Sequence, residues 1–116
     1  MMIGELPEQM YSTTDSQSLK ELCEKTDILI SSLPSTKETT NLLNSELLGL
    51  LKKNGTFINI GRGNVIKTEE LMKALDSETS PLFGAAVDVT YPEPLPDGHP
   101  LYKHPRCIVT PHLSGK

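Results

Sequence analysis

Three side chains in the second half of the chain could act together on a small acidic carbonyl compound. Arg62 lies between two glycines in the stretch Asn59-Ile60-Gly61-Arg62-Gly63, and a guanidinium there can pair with a carboxylate through two hydrogen bonds. Glu93 and His112 form a candidate acid–base pair, because a carboxylate fixes the imidazole tautomer and the histidine can then exchange a proton with a carbonyl oxygen. These are the residue types that reduction of a 2-keto acid requires.

Each of these residues also has an ordinary structural explanation when it is taken alone. Arg62 could be a surface side chain in a turn that leads into a helix. Glu93 could be a solvated loop residue and His112 a turn residue. Asp88 could cap a turn rather than accept a hydrogen bond from a ligand. Their occurrence together favours the functional interpretation, whereas His99 and His104 lie in a polar loop and receive no role.

Alternating apolar and amphipathic segments predict an α/β fold with a doubly wound parallel sheet. Predicted strands occupy 27–33, 56–60, 82–89 and 107–110, and predicted helices occupy 18–25, 45–53 and 68–75. Ser18 and Thr68 are the expected caps of the first and third helices. The nearly continuous apolar runs predict strands that are covered on both faces.

Four of the singled-out residues lie at or just beyond the carboxyl ends of predicted strands. They are Pro34, Arg62, Asp88 and His112. Because the carboxyl ends of parallel strands share one edge of a sheet, where ligands bind in this architecture, the four residues are expected at one rim.

Composition excludes several other classes of function. A net charge of -4 over 116 residues leaves no basic stripe for nucleic acid. The apolar runs are far shorter than a membrane span, and the first residues do not resemble a secretion signal. Cys23 and Cys107 have no ligand spacing, so we expect no metal site, two reduced and mostly buried thiols, and a cytoplasmic protein.

Three motifs in order carry a resemblance to a known family. They are Ile58-Asn59-Ile60-Gly61-Arg62-Gly63, Val87-Asp88-Val89-Thr90-Tyr91-Pro92-Glu93-Pro94-Leu95-Pro96 and Thr110-Pro111-His112. With them, the chain resembles the NAD-binding domain of D-isomer-specific 2-hydroxyacid dehydrogenases, and within that family it is most similar to glyoxylate/hydroxypyruvate reductases. The resemblance runs from about Leu19 to Gly115. We therefore divide the chain into a polar segment, 1–17, and a partial NAD(P)-binding domain that carries the catalytic residues, 18–116.

The resemblance implies specific roles, carried over by position. Arg62, Glu93 and His112 would be catalytic. Pro34, Ile60, Arg62, Asp88, His112 and Gly115 would contact the cofactor, which is NAD or NADP. It further implies a small 2-keto or 2-hydroxy acid as substrate and a homodimer.

The chain also departs from the family pattern. It contains no GxGxxG turn, and the first strands of a Rossmann-like sheet have no counterpart, so the predicted sheet is incomplete. An alternative hypothesis is therefore a truncated, non-catalytic domain that does not bind cofactor alone and at most pairs with an intact paralogue. A different dinucleotide-binding enzyme is a third hypothesis, which the order of the motifs disfavours.

Overall fold

The computed structural model describes residues 10–79 and 81–113, over which helices and strands alternate as predicted. The helices are α1 (Ser16–Glu24), α2 (Ser45–Leu48) and α3 (Thr68–Leu75), and the strands are β1 (Ile28–Ser31), β2 (Thr56–Asn59), β3 (Gly84–Val87) and β4 (Cys107–Val109). Short 3₁₀ helices lie at Gly63–Val65 and Pro100–Lys103. Each predicted strand and helix is present, and most are shorter than predicted.

The four strands are parallel and lie in the order β1-β2-β3-β4. The described sheet therefore grows in one direction only, whereas a complete doubly wound sheet reverses direction at a switch point. The predicted class, an incomplete parallel sheet of Rossmann-like type, is confirmed. The four described strands correspond to the part of such a sheet on one side of the switch point.

Strand register sorts the side chains onto two faces that differ sharply in burial. On one face Leu29, Phe57, Ala85 and Cys107 lie side by side across the sheet. They join the core that the helices build, in which Phe57 is fully buried. Since consecutive right-handed crossovers in one direction place their helices on the same side, a single core layer results.

The opposite face of the sheet is bare in the described structure. Ile28, Ile30, Ile60 and Ile108 are between 45% and 66% exposed on this face. The prediction that the strands are covered on both faces is therefore wrong for the described residues. The helices that could cover the second face are not among α1, α2 and α3.

Both predicted helix caps differ from the structure. The carboxylate of Asp15, not the hydroxyl of Ser18, accepts hydrogen bonds from the first amides of α1, those of Gln17 and Ser18. The helix accordingly begins inside the polar segment 1–17, of which the first nine residues lie outside the described structure. The polar segment and domain boundaries stay predictions.

The predicted cap of α3 and the predicted length of α2 are also wrong. Lys67 precedes α3, and the Thr68 hydroxyl instead donates to the carbonyl of Tyr91, which ties the loop after β3 to the helix. The helix α2, predicted to reach residue 53, ends at Leu48. Beyond it the backbone amides of Leu50 and Leu51 bond three residues back, which is the tighter pattern of a turn.

Glu70 joins α2 to α3 through a set of hydrogen bonds. Its carboxylate accepts from the Ser45 amide at 2.9 Å, from the Ser45 hydroxyl at 3.0 Å and from the Lys73 ammonium at 3.1 Å. The bond from the Ser45 amide is the main reason why the pKa of Glu70 is lowered to about 2, with Lys73 and the Ser45 hydroxyl adding to it.

This lowered pKa predicts how the stabilising contribution of Glu70 depends on pH. A carboxylate whose pKa is lower in the folded state stabilises the fold above its unfolded pKa, roughly 4.3. That contribution is lost as pH falls toward about 2. In urea unfolding, Glu70→Gln should therefore be less stable than the parent above about pH 5, with the difference vanishing at low pH. Glu69→Gln, at the exposed neighbouring position, is the control, and a difference independent of pH would contradict the prediction.

The two thiols are buried and unpaired, as the sequence predicts. Cys23 and Cys107 are free cysteines within the core. Burial raises the pKa of both thiols, that of Cys107 to about 11. They therefore act as core side chains rather than as nucleophiles. Across the described parts of the chain, no helix has the length and apolar character needed to cross a membrane.

Candidate active site

The Gly-Arg-Gly turn after β2 is held by the side chain of Asn59. This amide is 1% exposed; its oxygen accepts from the Gly61 amide at 3.1 Å and its nitrogen donates to the Arg62 carbonyl at 3.1 Å. Both bonds tie the turn to the end of its own strand. Asn59 was not singled out as a site residue from the sequence.

The glycines on either side of Arg62 allow backbone to pack directly against backbone. A Cβ atom on Gly61 would lie 2.6 Å from the carbonyl oxygen of Leu33, in the loop after β1. A Cβ atom on Gly63 would overlap the carbonyl of Thr90, in the loop after β3. The turn is thus packed tightly between its two neighbouring loops, and the glycines permit this close contact.

Glu93 and His112 are brought together, although they are 19 residues apart in the chain. The Glu93 carboxylate oxygen Oε1 pairs with Nδ1 of the His112 ring, and both side chains are 37% exposed. With Nδ1 held by the carboxylate, Nε2 is the ring nitrogen that remains available to a ligand. This contact has the geometry required of a general acid with its orienting carboxylate.

The loop that carries Glu93 is anchored just beyond it. Leu95 is 3% exposed and packs in the core, and its carbonyl accepts a hydrogen bond from the Tyr102 hydroxyl at 2.8 Å. The same loop is tied to α3 through the Thr68 hydroxyl. These contacts fix the approach of the carboxylate to the histidine ring.

Asp88, at the end of β3, holds the loop after β4. Its buried carboxylate oxygen Oδ1 accepts from the Thr110 hydroxyl at 2.5 Å and from the Leu113 amide at 2.7 Å. His112 lies between these two anchors with φ at 58°, a left-handed conformation that is uncommon for a residue other than glycine.

A cleft of about 690 Å³ lies beyond the carboxyl ends of β3 and β4. Glu93 and His112 both line it, together with Asp88, Thr110 and Tyr102. Its position at the carboxyl edge of the sheet is where ligands bind in parallel α/β folds. A small polar ligand in this cleft would meet the His112 ring.

A shallower hollow of about 240 Å³ adjoins this cleft on the bare face of the sheet. Ile60 and Leu113 line the hollow and are 45% and 57% exposed. Asp88 and Thr110 line both the hollow and the cleft, so their hydrogen-bonded pair forms the wall between them. Apolar surface beside a buried carboxylate suits a flat aromatic ring that carries a hydrogen-bond donor, such as a nicotinamide with its carboxamide.

The remaining predicted site residues are placed differently. The Arg62 side chain is exposed and donates from Nη1 to the carbonyl of Gly61 at 3.1 Å, and it does not line the cleft with His112. Pro34 is exposed in the loop after β1 and lines neither the cleft nor the hollow. Gly115 lies outside the described residues. The roles of all three stay predictions.

The other two histidines have structural partners. The His99 ring accepts from the Leu101 amide and caps a 3₁₀ helix. The His104 ring bonds Asp76 through Nε2 at 2.7 Å and accepts from the Arg106 amide through Nδ1. Within the described ranges, no group of three or more candidate metal ligands is close enough to hold an ion.

Thr110 and Leu113 are the contacts that sequence reasoning missed at the site. The Thr110 hydroxyl stands two residues before His112, at the end of β4. A hydroxyl at the end of one strand beside a carboxylate at the end of the next was the available signal. The register that pairs Val87 with Val109 brings the two side chains together.

Comparison with known proteins matches most of the chain to one family. The family described as "D-isomer specific 2-hydroxyacid dehydrogenase, NAD binding domain" matches residues 5–114. A glyoxylate reductase from Thermofilum pendens is 41% identical over 107 residues, which is 92% of this chain and 31% of that protein. The chain thus spans less than a third of that relative.

Solved structures agree with the sequence comparison. An NADPH-dependent glyoxylate/hydroxypyruvate reductase from Sinorhizobium meliloti superposes with a TM-score of 0.79 at 33% identity, over 88% of this chain and 52% of that one. A D-isomer specific 2-hydroxyacid dehydrogenase from Xanthobacter autotrophicus, solved with NADPH and MES, has a TM-score of 0.76 at 38% identity, over 84% and 31%. The resemblance inferred from the sequence motifs is confirmed.

Proposed function

Because the chain belongs to the D-isomer specific 2-hydroxyacid dehydrogenase family, we propose that it supplies the proton-transferring part of an NAD(P)-dependent oxidoreductase. The substrate class is a small 2-keto acid, such as glyoxylate or hydroxypyruvate, that is reduced to the 2-hydroxy acid. The observation that carries the proposal is the pairing of Glu93 with His112 in a cleft at the carboxyl edge of the sheet.

His112 is the proposed general acid. Glu93 holds Nδ1, so Nε2 faces the substrate and donates its proton to the carbonyl oxygen during reduction. In the oxidative direction, Nε2 accepts the proton from the hydroxyl group. NAD(P)H, when bound, supplies the hydride that reduces the carbonyl carbon.

Arg62 is the proposed anchor for the substrate carboxylate. Its guanidinium has one bond, at 3.1 Å, to the carbonyl of the adjacent Gly61 and is exposed to solvent. Exchanging such a bond for a bidentate pair with a carboxylate is favourable, since charge-assisted pairs are the stronger ones. The side chain would have to turn from its present position to reach the cleft.

Residues of the chain fit the nicotinamide end of the cofactor. Ile60 and Leu113 offer apolar contact in the hollow, and the carboxylate of Asp88 accepts hydrogen bonds at its wall. A carboxylate has roughly four lone-pair sites and can accept from several donors at once, a carboxamide among them. Contacts from Pro34 and Gly115 belong to the same proposal, as do the predicted homodimer and the cytoplasmic location.

A chimera tests this function directly. The aligned segment of this chain would replace its counterpart in the Thermofilum pendens glyoxylate reductase, and oxidation of NADH and of NADPH would be followed with glyoxylate and with hydroxypyruvate. We expect turnover that depends on the keto acid. A folded chimera that binds cofactor but turns over neither acid would contradict the proposal.

Titration of the isolated chain with NADH and NADPH distinguishes this function from the alternative hypothesis, a non-catalytic domain that does not bind cofactor alone. Micromolar affinity would show that the chain forms a working cofactor site alone. Absence of binding, together with an active chimera, would mean that its catalytic residues need further chain to hold the cofactor. Absence of binding with an inactive chimera would favour the non-catalytic domain.

A further inference from the structure

The backbone of His112 is held on both sides by one carboxylate oxygen. Thr110, two residues before it, and Leu113, one residue after it, both donate to Oδ1 of Asp88. The His112 amide also donates to the Thr110 carbonyl at 3.0 Å, which closes a tight turn between the anchors. The ring itself contributes to none of these backbone contacts.

We call the two hydrogen bonds from Thr110 and Leu113 to Asp88 the clamp. The clamp encloses His112, whose backbone has a left-handed conformation. Such a conformation is unfavourable for a residue with a side chain, and it persists only where surrounding contacts impose it. The turn residues lie at the exposed end of an edge strand, and Pro111 is itself exposed. Few side chains therefore pack against this turn. The bonds from Thr110 and Leu113 to Asp88, together with the bond from the His112 amide to the Thr110 carbonyl, are the contacts of the described residues that can impose the conformation.

The conformation of His112 in turn determines which ring nitrogen meets Glu93. Rotating the backbone at residue 112 out of the left-handed region would swing the Cβ atom, and the ring with it, away from a carboxylate that is anchored independently through Leu95. We propose that Thr110 is a positioning residue: its hydroxyl, through Asp88, holds His112 so that Nδ1 is committed to Glu93 and Nε2 to the substrate. As a statement about catalysis, this rests on the proposed function.

The hydroxyl of Thr110 is replaced without loss of shape by Thr110→Val. The ring tautomer of His112 in the free chain is then read from long-range ¹H–¹⁵N correlations at a pH where the ring is neutral. In the unsubstituted chain we expect the proton on Nδ1, where Glu93 accepts it. In Thr110→Val we expect a shift of the population toward the Nε2-protonated form that free imidazole side chains prefer, and in Thr110→Ser a return to the Nδ1 form.

His104 provides an internal control in the same spectra. Its Nε2 bonds Asp76 and its Nδ1 accepts from the Arg106 amide, so its proton is on Nε2. That signal should be unchanged in both Thr110 variants, which would show that the fold is intact. A folded Thr110→Val chain in which His112 keeps its proton on Nδ1 would overturn the inference.

A second measurement decides the matter if Thr110→Val does not fold. This measurement is hydrogen exchange of the Leu113 amide in the unsubstituted chain. If the amide is bonded to Asp88, it should exchange much more slowly than an unprotected amide in the same sequence. Exchange at the unprotected rate would overturn the clamp.

Because neither measurement uses cofactor or substrate, failure of the clamp and failure of the proposed function are distinguishable. An active chimera in which the tautomer does not respond to Thr110→Val refutes the clamp alone. An inactive chimera in which the tautomer responds refutes the function alone. In an active chimera, Thr110→Val should also lower kcat with little change in KM, and Thr110→Ser should restore it.

Discussion

His112→Ala in the glyoxylate reductase chimera is expected to lower kcat by a factor of about 10²–10⁴, the usual contribution of a positioned general acid. The His112 imidazole lines the cleft, pairs with the Glu93 carboxylate and is the proposed proton-exchanging group. Without it, water must supply the proton to the carbonyl oxygen. We expect kcat to fall while KM changes little, because the ring acts on the reacting atom rather than on the carboxylate of the substrate.

His104→Gln is the matched control for this substitution. His104 also pairs with a carboxylate, that of Asp76, but the residues that line the cleft do not include it. Its side chain is only 9% exposed, so its loss should lower stability while leaving kcat of the folded enzyme nearly unchanged. Equal losses of turnover in the two variants would mean that His112 acts through the fold, not through its proton.

Gly63→Ala is expected to be the most destabilising of the glycine-to-alanine substitutions at the described glycines. Its Cβ atom would overlap the backbone carbonyl of Thr90, and neither partner is a flexible side chain that could move aside. Overpacking typically costs about 1–3 kcal/mol and more where nothing can relax, so we expect a loss of at least ~3 kcal/mol. That is a large part of the roughly 5–15 kcal/mol that stabilises an ordinary domain.

Urea unfolding with Gly49→Ala as the control measures this effect. Gly49 has ordinary right-handed helical angles, and a Cβ atom there would meet its nearest neighbour, the Ser45 carbonyl oxygen, at 3.2 Å. Alanine at such a position should change stability by less than about 1 kcal/mol. The same unfolding midpoint for Gly63→Ala and Gly49→Ala would show that the loops after β2 and β3 are not in direct backbone contact.

The strands and α3 could be predicted from the sequence because local patterns determine them. The segments around Ile30 and Phe57 are rich in β-branched and apolar residues, and the apolar spacing within α3 fits one helical face. The cap of α1 was wrongly predicted because Ser18 has a glutamate three residues later, as a capping box requires, whereas Asp15 has a serine there. Only the backbone path decides that the Asp15 carboxylate reaches the first amides.

The residues of the candidate site could be predicted from the sequence better than the directions of their side chains and the contacts between their loops. Strand order places Asp88 and His112 at one edge, and the pairing of Glu93 with His112 follows from their known residue types once the loop between them folds back. The direction of the Arg62 side chain depends on rotamers that spacing does not encode. The contact of Gly63 with Thr90 depends on how closely two loops approach, which is equally absent from spacing.

The bare face of the sheet affects how firmly the whole chain folds. Burying an isoleucine side chain completely contributes roughly 1.5–3 kcal/mol, yet Ile28, Ile30 and Ile108 each keep more than half of their surface wetted. A sizeable hydrophobic contribution therefore remains unrealised, although the residues that could provide it are already in place. The folding free energy of this domain, and the heat-capacity change when it melts, should rise in proportion to the area of that face that any neighbouring surface keeps dry.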